Sequence, residues 1–163
     1  MIPFSKINKS GGADYNAKYQ RHHLIPLQAY SEPRFGALFS ELREVGFSID
    51  DFSTNGVLLP CEEGEAYHSG MPLHRGPHPQ YNELVMDRLD AIERTARSAS
   101  AAARPHSMLR DRVWLFQKAL ARGLKRSENQ AYVLNNRDPV RAEGNFEELD
   151  ACVDILWAST GDE

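Results

Sequence analysis

The sequence predicts an α+β chain that is mostly helical, and two kinds of observation lead there. Two short segments have strand character, Tyr19–Ile25 and Val57–Leu59, while four longer stretches repeat apolar residues at helical spacing. With 163 residues the chain can bury a real core. Hydrophobic content of 41% and charged content of 26% are those of an ordinary globular protein. The apolar runs are too short to cross a bilayer, and Met1-Ile2-Pro3-Phe4 does not open like a secretory signal. Cys61 and Cys152 form neither a Cys-x-x-Cys clamp nor a disulfide framework, so both are read as reduced and structural.

The elements follow in order. Residues 1–14, with Gly11-Gly12, read as a flexible lead-in. Tyr19 to Ile25 reads as a strand that stops at Pro26, because proline cannot donate to a ladder. Phe35, Leu38, Phe39, Leu42 and Val45 share one face of a helix over Arg34–Val45, with Gly46 as its stop. Ser53-Thr54-Asn55-Gly56 has the composition of a turn leading into the second strand, and Glu62 to Ser69 reads as a polar loop. Pro79 suits the first position of a helix reaching about Arg97, with Tyr81, Leu84, Val85, Leu89 and Ile92 inward. His106 starts a further helix to about Gly123, with Leu109, Val113, Phe116 and Leu120 inward. Asn135 to Pro139 reads as a loop, and a last helix is expected near Phe146 to Trp157.

Charge is strongly segregated behind a net −4: residues 1–30 carry +3, 31–70 carry −6, 71–126 carry +6 and 127–163 carry −7. Five of the six histidines fall in the two basic blocks, and four of these make two short motifs: His22-His23, and His74 and His78 within Leu73-His74-Arg75-Gly76-Pro77-His78-Pro79. Local potential outweighs total charge, so a polyanionic substrate fits this distribution. Imidazoles bind divalent metals, and one left off the metal can act as a general base, with an ordinary pKa of about 6.5. A single-metal hydrolytic site is the leading reading. His68 is the competitor to His74 as a ligand; His106 is read as a helix-start residue, and Tyr81 as packed beneath the site.

Three blocks occur in a telling order: Arg21-His22-His23-Leu24-Ile25-Pro26, then Asn55-Gly56-Val57-Leu58-Leu59-Pro60, then His74-Arg75-Gly76-Pro77-His78-Pro79-Gln80-Tyr81. In these the chain resembles the AHH-type nucleases of the HNH/endonuclease VII superfamily, over roughly residues 18–95. Arg21 stands where the family name implies alanine. The resemblance implies a ββα-metal core, that is, a short antiparallel hairpin plus a helix. Surrounding helices and a C-terminal helical extension complete the expected chain. Residues 1–14 would then be lead-in, 15–97 nuclease core and 98–163 the extension packed on it.

It also implies roles. His23 would be the general base, while His22, on the opposite strand face, would bind one divalent metal ion with His74 and His78. Asn55 would orient His23 or approach the metal, and Arg75, Arg21 and Lys18 would contact substrate. Imidazole donors suit Zn or Ni, whereas phosphodiester hydrolysis also runs with Mg or Mn. The implied activity is metal-dependent hydrolysis of DNA, with RNA as the other substrate and a toxin or effector role left open. The alternative is a non-catalytic nucleic-acid-binding module stabilised by metal. An immunity protein, if the chain is a toxin, and a homodimer are the further partners considered, with no membrane partner. The expected location is the cytoplasm, or a target cell for an effector.

Overall fold

The computed structural model describes residues 1–98, 106–125, 134 and 138. Helices dominate, and the one sheet among the described residues is an antiparallel pair, β1 (Tyr19–His23) with β2 (Gly56–Pro60). Tyr19 faces Pro60, His22 faces Val57 and His23 faces Gly56. Cross-strand partners share a sheet face, so His22 and Val57 are buried together and His23 turns to the other side. The α+β core of hairpin and helix expected from the sequence is present.

The strands are joined by helices. Pro26 precedes α1 (Leu27–Ser31), and a 3-10 turn, Pro33–Phe35, leads into α2 (Gly36–Glu44). The single helix expected over 34–45 is thus split, because Pro33 opens a tighter turn before the α ladder can start. Gly46, at φ 89°, ends α2: its N–H donates to the Arg43 carbonyl, and that of Phe47 to Leu42. This is a Schellman closure, which needs the left-handed backbone that glycine adopts freely.

Two local expectations change. Ser53–Gly56 is not a plain turn: Phe52–Asn55 form a single helical turn, α3, capped by the Asp51 carboxylate on the Ser53 N–H. Glu62–Ser69 is not a loop either. Glu63–Ser69 form α4, with glutamates in its first turn, Ala66 buried and Gly70 in the left-handed conformation at its end. With one small residue facing inward, this helix shows almost no apolar stripe in its sequence, and carboxylates at a helix start supply part of its stability.

Helix α5 (Pro79–Ser98) buries Tyr81, Val85, Met86, Leu89, Ile92 and Ala96, and α6 (His106–Lys125) buries Leu109, Val113, Phe116, Leu120 and Leu124. They pack on each other and, with α1 and α2, enclose Leu24, Ile25, Phe35, Leu38, Phe39 and Leu42 in one core. Helix α6 runs two residues past the Gly123 expected as its end. The helix expected near Phe146–Trp157 lies outside the described residues. No helix among them is long and apolar enough to cross a membrane.

The N-terminal residues are tied in. Pro3 bridges to Asp51, the Phe4 N–H donates to Asp50, and the Phe52 N–H donates to Ile2. Phe4 is buried at 6% exposure inside the stretch read as a flexible lead-in. Glycine at position 56 has a steric reason: a Cβ there would sit 2.2 Å from the Phe52 ring. We expect Gly56→Ala to destabilise the fold by about 1–3 kcal/mol through overpacking. Urea denaturation measures this; an unchanged midpoint would show that the Phe52 ring moves aside without cost.

Candidate metal centre and base

Strand alternation separates the tandem histidines. His22 is 4% exposed and its ring meets three others, with centroids 4.9 Å from His74, 5.4 Å from His78 and 5.0 Å from Tyr81. The His74 and His78 rings are 4.6 Å apart. One ring nitrogen from each of His22, His74 and His78 can be chosen so that all lie within 4.8 Å of one another. Two segments distant in sequence, β1 and the stretch before α5, thereby converge.

Each ligand segment is fixed from outside. The His74 N–H donates to the Pro60 carbonyl at the end of β2 (2.7 Å), and the N–H of Leu73 to the buried Asp138 carboxylate (2.8 Å). Gly76, at φ 86°, turns the chain between His74 and His78, both of which precede α5. His78 Nδ1 lies 3.2 Å from the Leu134 carbonyl. A carbonyl can only accept, so Nδ1 carries the hydrogen and Nε2 keeps its lone pair. Tyr81 lies beneath, its hydroxyl donating to the Leu24 carbonyl at 2.7 Å. It packs under the site, as expected.

The electrostatics favour neutral imidazoles. Burial, then the neighbouring His74, His78 and His23, holds His22 well below its ordinary pKa. Burial and His78 bring His74 down to about 4, and burial lowers His78 against the raising effect of the Leu134 carbonyl. Two buried nitrogens, His22 Nε2 and His74 Nδ1, have no hydrogen-bond partner among the described residues. Burying an unpaired polar nitrogen costs on the order of 1–3 kcal/mol, and two side by side call for something to take their lone pairs. Three neutral imidazole donors fit a divalent ion and leave it further coordination positions for solvent or substrate.

His23 lies on the other face of β1, half-buried and stacked on Phe4 with centroids 3.7 Å apart and the planes 5° from parallel. Burial lowers its pKa, Arg21 lowers it further and Asp50 opposes. It is neutral near pH 7 and can accept a proton.

Asn55 is fully buried and is not spent on the His23 ring. Its Oδ1 accepts from the Ile25 N–H (2.8 Å) and from Gln117 Nε2 (3.0 Å), and its Nδ2 donates to the carbonyls of Ile25 (3.2 Å) and Ile49 (3.1 Å). Those four bonds use its full capacity, so the side chain staples the backbone just past His23. Arg21 donates to the Phe4 carbonyl (2.6 Å), and Lys18 pairs with Glu65 (3.1 Å). These two of the three expected substrate contacts therefore have intramolecular partners. Arg75 is exposed beside His74. His68 is exposed on α4 with Nδ1 on the Gly64 carbonyl and lies outside the cluster, and His106 begins α6.

Residues 4–111, about two thirds of the chain, match the sequence model of the AHH family, described as a nuclease family of the HNH/ENDO VII superfamily with conserved AHH. The chain belongs to this AHH nuclease family. No curated protein and no solved structure matches it. As an AHH nuclease it acts on nucleic acid, and its histidines 22, 23, 74 and 78 all fall inside the match. Leu134 and Asp138 lie beyond it. They, Gln117 and Phe4 are the site residues that sequence reasoning missed. Nothing in Asn135-Asn136-Arg137-Asp138-Pro139 signals a buried carboxylate, whereas the apolar run Ile2-Pro3-Phe4 could have signalled a packed end.

The pKa directions predict acid sensitivity of the metal-free nuclease. The folded imidazoles resist protonation while those of the unfolded chain accept protons below about 6.5, so the unfolded state binds more protons and stability is lost as pH falls. For His74 the loss begins at its ordinary value and continues to about 4. In EDTA, the urea midpoint should drop across this window, and less steeply in His74→Gln. A midpoint independent of pH would contradict the burial of neutral imidazoles.

Proposed function

We propose that this AHH nuclease is a metal-dependent endonuclease that hydrolyses phosphodiester bonds of DNA, with His23 as general base and His22, His74 and His78 holding one divalent ion. The observation that carries the reading is the pair of orphaned buried nitrogens on His22 and His74, with a separate neutral imidazole on the opposite face of the same strand. A site serving structure alone needs ligands and has no use for that fourth imidazole. When bound, the ion supplies positive charge to the leaving 3′ oxygen and the scissile phosphate.

The remaining work falls to side chains. His23 takes a proton from the attacking water at a ring nitrogen, which its neutral state near pH 7 permits. Asn55 acts as a positioning residue: by holding both Ile25 backbone groups it fixes the exit of the strand that carries His23. Arg75, exposed between two ligand histidines in sequence, offers a planar fork of donors to a phosphate. Tyr81, whose buried ring meets His22, walls the ligand side with apolar surface, which strengthens charge interactions there.

Supercoiled plasmid provides the test. The wild type should nick it with divalent metal and not in EDTA. We expect His23→Ala to lose about 10²–10⁴-fold in rate, the range of general-base catalysis, while still binding metal. His78→Ala should lose both cleavage and most metal affinity, measured by chelator competition. Full cleavage by His23→Ala would remove the base. Metal-dependent DNA binding without cleavage by the wild type would favour a non-catalytic module instead.

A further inference from the structure

We propose that Phe4 is the positioning residue for His23: its ring, stacked face to face on the imidazole, fixes the ring plane and covers one face, so that the ring nitrogens are presented edge-on to substrate. The inference rests on His23 being the base. Its ground is geometric. The rings lie 3.7 Å apart and 5° from parallel, and Phe4 is buried. Aromatic pairs left to themselves favour offset or edge-to-face arrangements, so a near-parallel stack at this distance needs imposed geometry.

The surrounding structure imposes it. The Phe4 carbonyl accepts from Arg21, two residues before His23, and from the N–H of Ile7, and the Phe4 N–H donates to Asp50. The Phe52 ring meets Phe4 edge-on at 5.1 Å, and that same ring occupies the space where a Cβ of Gly56 would lie. Gly56 is the strand partner of His23. Phe52 thus backs Phe4, which stacks on the imidazole, and abuts Gly56, the strand partner of His23. The N–H groups of Leu24 and Ile25, bonded to the Asn55 carbonyl and side chain, hold the backbone that follows. A base held this way loses little orientational freedom on reaction, and misplacing a reacting group by about 1 Å can cost on the order of 10²-fold.

The test compares Phe4→Leu, Phe4→Met and Phe4→Tyr in the full chain, alone and in the His23→Ala background, with plasmid nicking at saturating metal. We expect Phe4→Leu and Phe4→Met to lower kcat about tenfold or more, with KM and metal affinity held within about twofold, and Phe4→Tyr to stay within about threefold of wild type. In the His23→Ala background the Phe4 substitutions should add no further loss, because they act through the missing ring. In the wild type, the His23 ring protons should resonate upfield of ordinary imidazole positions and return towards them in Phe4→Met. Ordinary His23 shifts in the wild type, unchanged kcat in Phe4→Leu, or an equal further loss on His23→Ala would each overturn the proposal. Full activity of His23→Ala would instead overturn the general-base reading beneath it.

Discussion

The register of one two-stranded pairing governs the whole site. Adjacent residues of a strand point to opposite faces, and a slip by a single position would exchange the places of His22 and His23. The protein restrains that register at the His23 end of the pairing. At Gly56, opposite His23, the Phe52 ring leaves no room for a side chain, and at the strand exit Asn55 binds both backbone groups of Ile25. Helix α6 adds Gln117 to the same amide, so the long helix behind the core also bears on which histidine faces inward. A buried amide with every donor and acceptor used tolerates few alternative arrangements, which suits it to this task.

On the inward side, the cost of burial is left uncompensated by the described residues. His22 Nε2 and His74 Nδ1 find no partner among the described residues, whereas the Tyr81 hydroxyl is met by Leu24 and the Asp138 carboxylate by Leu73. The imidazoles are driven towards neutrality by burial and by each other, which is the protonation state that metal coordination requires. On the outward side the arrangement is reversed: His23 is only half-buried, its face is covered by Phe4 and it stands apart from the three-histidine cluster. One dipeptide thus presents two chemical environments, produced by alternation and by what packs on each face.

Much of this was legible along the chain. The strand that carries the tandem histidines, though it stops at His23 rather than running to Ile25, the stop at Gly46, the start at Pro79 and the inward faces of α5 and α6 all follow from local stereochemistry and from apolar spacing. The elements misread are those whose signal is not periodic. Helix α4 buries Ala66 as its only fully covered residue, and α3 is too short to show any period. The partners of charged groups were equally hidden: nothing local says that Arg21 reaches the Phe4 carbonyl 17 residues earlier, or that Lys18 meets Glu65 47 residues later.

By itself, the sequence determined the kinds of groups available and their local directions: tandem imidazoles on a strand, a compact second pair before a helix, and family membership through the order of three blocks. Tertiary structure alone decided which atoms meet. It left His68 outside the histidine cluster, committed the Asn55 side chain to the backbone just past His23, and brought Phe4, Leu134 and Asp138 to a site from which they lie far in sequence. The reason is physical. Periodicity and turn chemistry act over a few residues, whereas a hydrogen bond or a ring stack between distant segments depends on how whole elements pack.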